Sequence, residues 1–136
     1  MKDYLVVANQ TLGGDHLLDE LRRRVAQGPC RIHVVVPANL SEGWTTTEAE
    51  ARAAARERLN QAVERFSELG VEVDGRVGDE RPLDAMRDAL REVSCDEIIL
   101  STLPAGVSRW LGMDLVSRAS RTFPVPVTHV EATEVP

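Results

Sequence analysis

Three apolar runs, Tyr4–Asn9, Ile32–Pro37 and Glu97–Thr102, break off in small or polar residues, and the stretches between them repeat apolar positions at helical spacing. This alternation predicts strands joined by amphipathic helices. After the first run comes a Gly-rich turn, Gln10-Thr-Leu-Gly-Gly14. Asp15 is then the expected N-cap of a helix whose Leu18, Leu21 and Val25 share a face and which Gly28-Pro29 stops. The second strand, about Arg31 to Pro37, is nearly continuous in hydrophobes, as expected of a strand covered on both faces. A polar loop from Ala38 to Thr46 leads to the longest helix. Its start is marked by the capping box Thr47-Glu-Ala-Glu50, its buried stripe by Leu59, Val63, Phe66 and Leu69, and its end by Gly70.

A short third strand, Val71 to Val77, enters the turn Gly78-Asp-Glu-Arg-Pro82, with Pro82 suited to the first position of the next helix. Leu83, Met86, Leu90 and Val93 turn that helix inward. The fourth strand, about Glu97 to Leu103, breaks at Pro104. A loop through Trp110, a helix from about Asp114 to Arg121 and a strand from Val127 to Glu131 complete the chain. Right-handed crossovers between these elements predict an α/β three-layer sandwich with a five-stranded parallel sheet, read as a single domain over 1–136. In such a sheet, ligands bind at the carboxyl ends of the strands, where the chain reverses direction across the sheet.

The net charge of −6 removes one class of function, because nucleic-acid and anionic-membrane surfaces depend on clustered cations. Lys2 is the only lysine, and the arginines are interspersed with acids. The Glu- and Arg-rich longest helix reads as a solvated face laced with i,i+4 pairs. No apolar run approaches membrane-spanning length, and the chain enters a strand at once without signal-peptide character, so the expected location is cytoplasmic. Cys30 and Cys95 lie outside any Cys-x-x-Cys or Cys/His pattern and read as buried thiols near strand starts.

Catalytic groups are sparse. His16 opens the first helix, while His33 and His129 fall inside strands, where neighbours satisfy an imidazole more often than catalysis uses it. Ser101 and Thr102 end a central strand at the crevice and are candidates either to bind a ligand or to cap a loop. The loop Ala105–Gly112 combines Ser108, Arg109 and Trp110. There an Arg could hold an anion and a Trp could stack on a base or pack the loop onto the sheet, whereas Arg118 and Arg121 read as solvated. Leu12-Gly-Gly-Asp-His16 resembles the Ser-Gly-Gly-x-Asp-Ser loop of ATP pyrophosphatases, but the first Ser is missing and the spacing is short, so it reads as a strand-to-helix turn. No His-x-x-His or His-x-Gly-His nucleotidyltransferase site occurs.

Several segments together resemble the universal stress protein family, of the adenine nucleotide alpha hydrolase-like superfamily. They are Ile32-His-Val-Val35 in the second strand, Gly78-Asp-Glu-Arg-Pro82 after the third and Pro124-Val-Pro-Val127 before the last, in the right order along nearly the whole chain. The resemblance implies strand order 3-2-1-4-5. It also implies an adenine-nucleotide crevice at Ala8, Asn9, Val34, Gly78, Asp79, Ser101, Thr102, Met113 and Asp114, with Val34 as an apolar wall for a base.

ATP-binding members of that family carry an Asp where Asn9 stands. After strand four they carry a Gly-x-x-Gly and a later Gly-Ser or Gly-Thr, whose amides and hydroxyl meet the phosphates. Here Pro104 interrupts the first segment, and Met113-Asp114 replaces the second, adding bulk and a carboxylate. The resemblance thus implies a non-catalytic regulatory or stress-response module with a degenerate ATP site. The alternatives are a small-ligand sensor for an adenine nucleotide or nucleoside and, third, a nucleotide-hydrolysing enzyme. No cofactor is firmly implied; AMP or another adenine nucleotide is the ligand to expect, with ATP binding weakly. A homodimer through the last strand, Val127, His129 and Glu131, is also implied.

Overall fold

The short apolar runs become strands because the sheet gives each of them a neighbour on at least one side and a helix on each face. In the computed structural model, which describes residues 1–39 and 47–132, the strands are β1 (Lys2–Val7), β2 (Cys30–Pro37), β3 (Glu72–Gly78), β4 (Glu97–Thr102) and β5 (Val127–Glu131). Between them lie α1 (Asp15–Gln27), α2 (Glu48–Ser67), α3 (Pro82–Glu92), α4 (Arg109–Gly112) and α5 (Leu115–Thr122). Every neighbouring pair is parallel and the order is β3-β2-β1-β4-β5. The predicted fold class and strand order are those observed.

The two-residue period of the strands divides the core into two layers. Tyr4, Val6, Ile32, Val34, Val36 and Ile99 pack with Leu17, Leu21, Leu59 and Phe66 of α1 and α2. On the opposite face, Leu5, Val7, Val35, Ile98 and Leu100 pack with Met86 and Ala89 of α3 and Leu115 and Ala119 of α5. Burying each large aliphatic or aromatic side chain contributes about 1.5–3 kcal/mol, so the two layers rather than helix propensity hold the sheet. No helix among the described residues is long and apolar enough to cross a membrane.

The amino-terminal edge of the sheet is closed by charge. Asp3 of β1 accepts from Arg31 Nε at 2.9 Å and pairs with His33 Nε2 at 3.0 Å, while His33 Nδ1 meets Asp74 of β3 at 2.9 Å. Burial pulls the His33 pKa down, but the two carboxylates outweigh it and the net shift is upward. The hydrogen bonds from Arg31 and His33 hold the Asp3 carboxyl below its ordinary range. His33 is thus satisfied within the sheet, as its position in a strand predicts.

Four local expectations need correction. Asp15 is the first helical residue rather than the cap. Gly14 takes the cap position with no side-chain bond, and Asp15 pairs with Arg65 instead. The stretch before Met113 is not all loop: Ser108 accepts from the Leu111 N–H at 3.2 Å and starts the turn α4. Cys30 is buried, but Cys95 is only half-buried. Among the described residues no salt bridge joins two α2 side chains; Arg58 and Arg65 instead reach across to the β1–α1 turn. Residues 40–46 of the polar loop predicted over 38–46 lie outside the described residues.

Candidate functional site

Register decides which predicted residues reach the carboxyl edge. Val7 stands opposite Val35 and Leu100, Pro37 opposite Gly78, and Thr102 opposite Glu131. Ala8, Asn9, Gly78, Asp79, Ser101 and Thr102 therefore lie at or just past the strand ends. Val34 does not: it pairs with Val6 inside the sheet and is buried beneath α2. The position of Val34 two residues short of Val36 keeps it on the α2 face, so it is core and not a wall for a base.

The polar groups at the edge mostly bind one another. The Asn9 side-chain amide donates to the Pro37 carbonyl at 2.7 Å and to Asn39 Oδ1 at 2.9 Å, while its own oxygen accepts from Arg58. Ser101 Oγ lies 2.6 Å from Thr11 Oγ1 and 3.0 Å from His16 Nε2. Burial lowers the His16 pKa, partly opposed by Asp15 and Asp19. Thr102 Oγ1 bonds the Leu103 carbonyl and lies 2.7 Å from His129 Nε2. The strip between β1 and β4 is thus occupied by the chain's own side chains.

Open space lies to one side of that strip. A cavity of about 430 Å³ runs between the β3–α3 turn and the α4–α5 segment, within the range of small-molecule sites, about 300–1,000 Å³. Its lining includes Asn39, Arg81, Trp110, Met113 and Arg118. Trp110 is buried in the core layer under α3 and α5 yet presents part of its surface to this space. The expectation that it packs the loop onto the sheet holds, and it is also a wall. Arg118, read as solvated, is exposed and lines the cavity.

Asp79 accepts from the Arg81 backbone N–H at 2.8 Å, and that bond holds its carboxyl below the ordinary range. Arg81 also meets Asp84 at 3.0 Å, and Asp84 meets Arg87 at 2.8 Å. The Asp79 and Asp84 carboxylates at the α3 end are therefore already paired. Of the nine residues expected to bind a ligand, Met113 lines the cavity; Asn9 stands behind it, through Asn39.

The segment from Pro104 to Asp114 has few amides to offer. Pro104 has no N–H, and its carbonyl accepts from the Val107 and Ser108 amides at 3.1 and 3.0 Å. The amides of Leu111, Gly112, Met113 and Asp114 are bonded within the α4 turn. Asp114 sits at φ 56°, a left-handed conformation tolerated by Asp, and its carboxylate makes no cap bond to α5.

Fold and crevice define a doubly wound α/β protein with a ligand-sized space at the carboxyl edge of its sheet. No protein-family model matches the chain and no curated protein matches it. Solved structures do. A universal stress protein from Archaeoglobus fulgidus in complex with dAMP aligns over 96% of this chain and 98% of its own, with 20% identity and a TM-score of 0.61. A universal stress protein family protein from Arabidopsis thaliana with AMP bound aligns over 98% and 93%, with 10% identity and a TM-score of 0.63. A universal stress protein in complex with cAMP aligns over 97% and 98%, with 19% identity and a TM-score of 0.55. The chain has the universal stress protein fold.

Proposed function

We propose that this protein is a non-catalytic regulatory module of the universal stress protein kind that takes a small adenine nucleotide, of the size of AMP, and discriminates against ATP. The observation that carries this reading is the 430 Å³ cavity with an aromatic wall at Trp110 and an arginine, Arg118, at its rim. The AMP, dAMP and cAMP bound to proteins of the same fold support an adenine compound as occupant. Discrimination against ATP is supported by the consumed amides of Val107, Ser108, Leu111, Gly112, Met113 and Asp114, which leave a triphosphate few N–H donors. The absence of catalysis is supported by the part-buried Ser101–His16 and Thr102–His129 pairs, in which neither imidazole hydrogen-bonds a carboxylate among the described residues that could orient it as a base.

Calorimetry and thermal shift with AMP, cAMP and ATP·Mg²⁺ test this proposal. AMP should raise the melting temperature, with about 2.7 kcal/mol of stabilisation at 100 times its Kd, and ATP should bind at least about tenfold more weakly. ATP binding as tightly as AMP would end the degenerate-site reading. No binding of any adenine compound would end the ligand reading.

The module acts as a dimer through β5, an edge strand paired only with β4. The Ala132 N–H donates back to Thr102, so by the alternation of the strand the amides of Val127, His129 and Glu131 face away from the sheet and are available to a second copy. Light scattering should give twice the monomer mass at micromolar concentration. Val127→Pro, which deletes one outward donor at the first strand position, should shift the population toward monomer. A wild-type mass that stays monomeric as concentration rises would refute the dimer.

A further inference from the structure

We propose a second site, separate from the nucleotide crevice: the small cavity between α2 and the β1–α1 turn binds a phosphate-class oxyanion. The cavity measures about 220 Å³ and is lined by Leu12, Gly13, Arg58, Gln61, Ala62 and Arg65. The spacing of Arg58, Gln61 and Arg65 puts three side chains with N–H donors on one face of α2, turned toward the loop rather than away from it. In a chain of net charge −6, this lining holds two guanidinium groups and no carboxylate.

The partners of the guanidinium groups are neutral or exposed. Arg58 donates to an uncharged acceptor, Asn9 Oδ1. Arg65 donates to the Gly13 carbonyl and pairs at 3.0 Å with Asp15, a carboxylate whose side chain is 89% exposed and which an entering anion can replace. Opposite them, a Cβ at Gly13 would meet nothing within 4 Å. Gly13 is followed by the Gly14 cap of α1, which has no side-chain bond.

Size and donor geometry select the ligand. The cavity is smaller than the roughly 300 Å³ at which drug-sized sites begin, and its volume suits a tetrahedral oxyanion better than a whole nucleotide. Paired arginine forks match phosphate oxygens two at a time, and Gln61 adds a neutral donor.

Inorganic phosphate, titrated by calorimetry at constant ionic strength against chloride, is the direct probe. It should bind, and Arg58→Gln with Arg65→Gln together should weaken it by more than about tenfold. Because those two arginines also brace the β1–α1 turn, Gln61→Glu is the cleaner variant. Gln61 makes no hydrogen bond among the described residues, so a carboxylate there should leave the melting temperature in place while lowering phosphate affinity by about tenfold. Glycerol phosphate as a second ligand separates a free anion from an ester terminus, either of which fits the site. Failure of the wild-type protein to bind phosphate, or unchanged affinity in Gln61→Glu, would overturn the proposal. So would loss of binding on Arg118→Gln in the main cavity with none on Gln61→Glu.

Discussion

Gly78→Val should lower stability by about 2–3 kcal/mol and abolish nucleotide binding together. A Cβ at Gly78 would sit 2.8 Å from the Ala85 Cβ and 3.0 Å from Val35 Cγ2. Neither neighbour can swing away: Ala85 has no side-chain torsion, and Val35 is locked in the core beneath α3. The helix itself must lift from the sheet, and its first turn carries Pro82, Leu83 and Asp84, which line the nucleotide cavity. Urea denaturation and AMP calorimetry on the same preparation check both consequences. Gly112→Ala, where a Cβ meets nothing within 4 Å, is the matching control. An unchanged urea midpoint for Gly78→Val would mean that α3 does not rest on β3 as described.

Asn9→Asp should also destabilise, by about 1–3 kcal/mol, even though it restores the carboxylate that ATP-binding universal stress proteins carry. The amide at position 9 donates to the Pro37 carbonyl and to Asn39 Oδ1. A carboxylate can donate to neither, so two acceptors would face an anion at a buried position, and attraction to Arg58 returns only part of that loss. Asn39 can turn its own amide toward the new oxygen; the Pro37 carbonyl is fixed in β2 and cannot. Thermal denaturation at pH 7 measures the effect, and a variant as stable as the wild type would show that these bonds contribute nothing.

The strand order was legible because the apolar runs are short, separated by helical stretches and bounded by Gly and Pro, and because parallel crossovers leave few arrangements. The motif Ile32–Val35 identifies a strand but not which of its residues reaches the edge; only register places Val34 inside the sheet. The α4 turn was readable in principle, since Ser108 stands three residues before Leu111, whose amide it accepts. The roles of Arg58 and Arg65 were hidden for a different reason. In a helix rich in Glu, charge spacing suggests local i,i+4 partners, whereas these two side chains found theirs some fifty positions away. The cavity combines side chains from the β2 end, the β3–α3 turn and α4–α5, a juxtaposition that no local pattern encodes.

The same two arginines bear on how the first βα unit comes to be ordered. Gly14 brings no side-chain cap, and the Gly13 carbonyl and Asp15 carboxylate are both held by Arg65, at sequence separations of 52 and 50 residues. Entry into α1 is therefore secured from outside, by a helix made later in the chain. Beyond the local bonds from Leu12 N–H to the Asn9 carbonyl and from Gly14 N–H to the Thr11 carbonyl, the first turn of α1 thus draws its order from the docked α2.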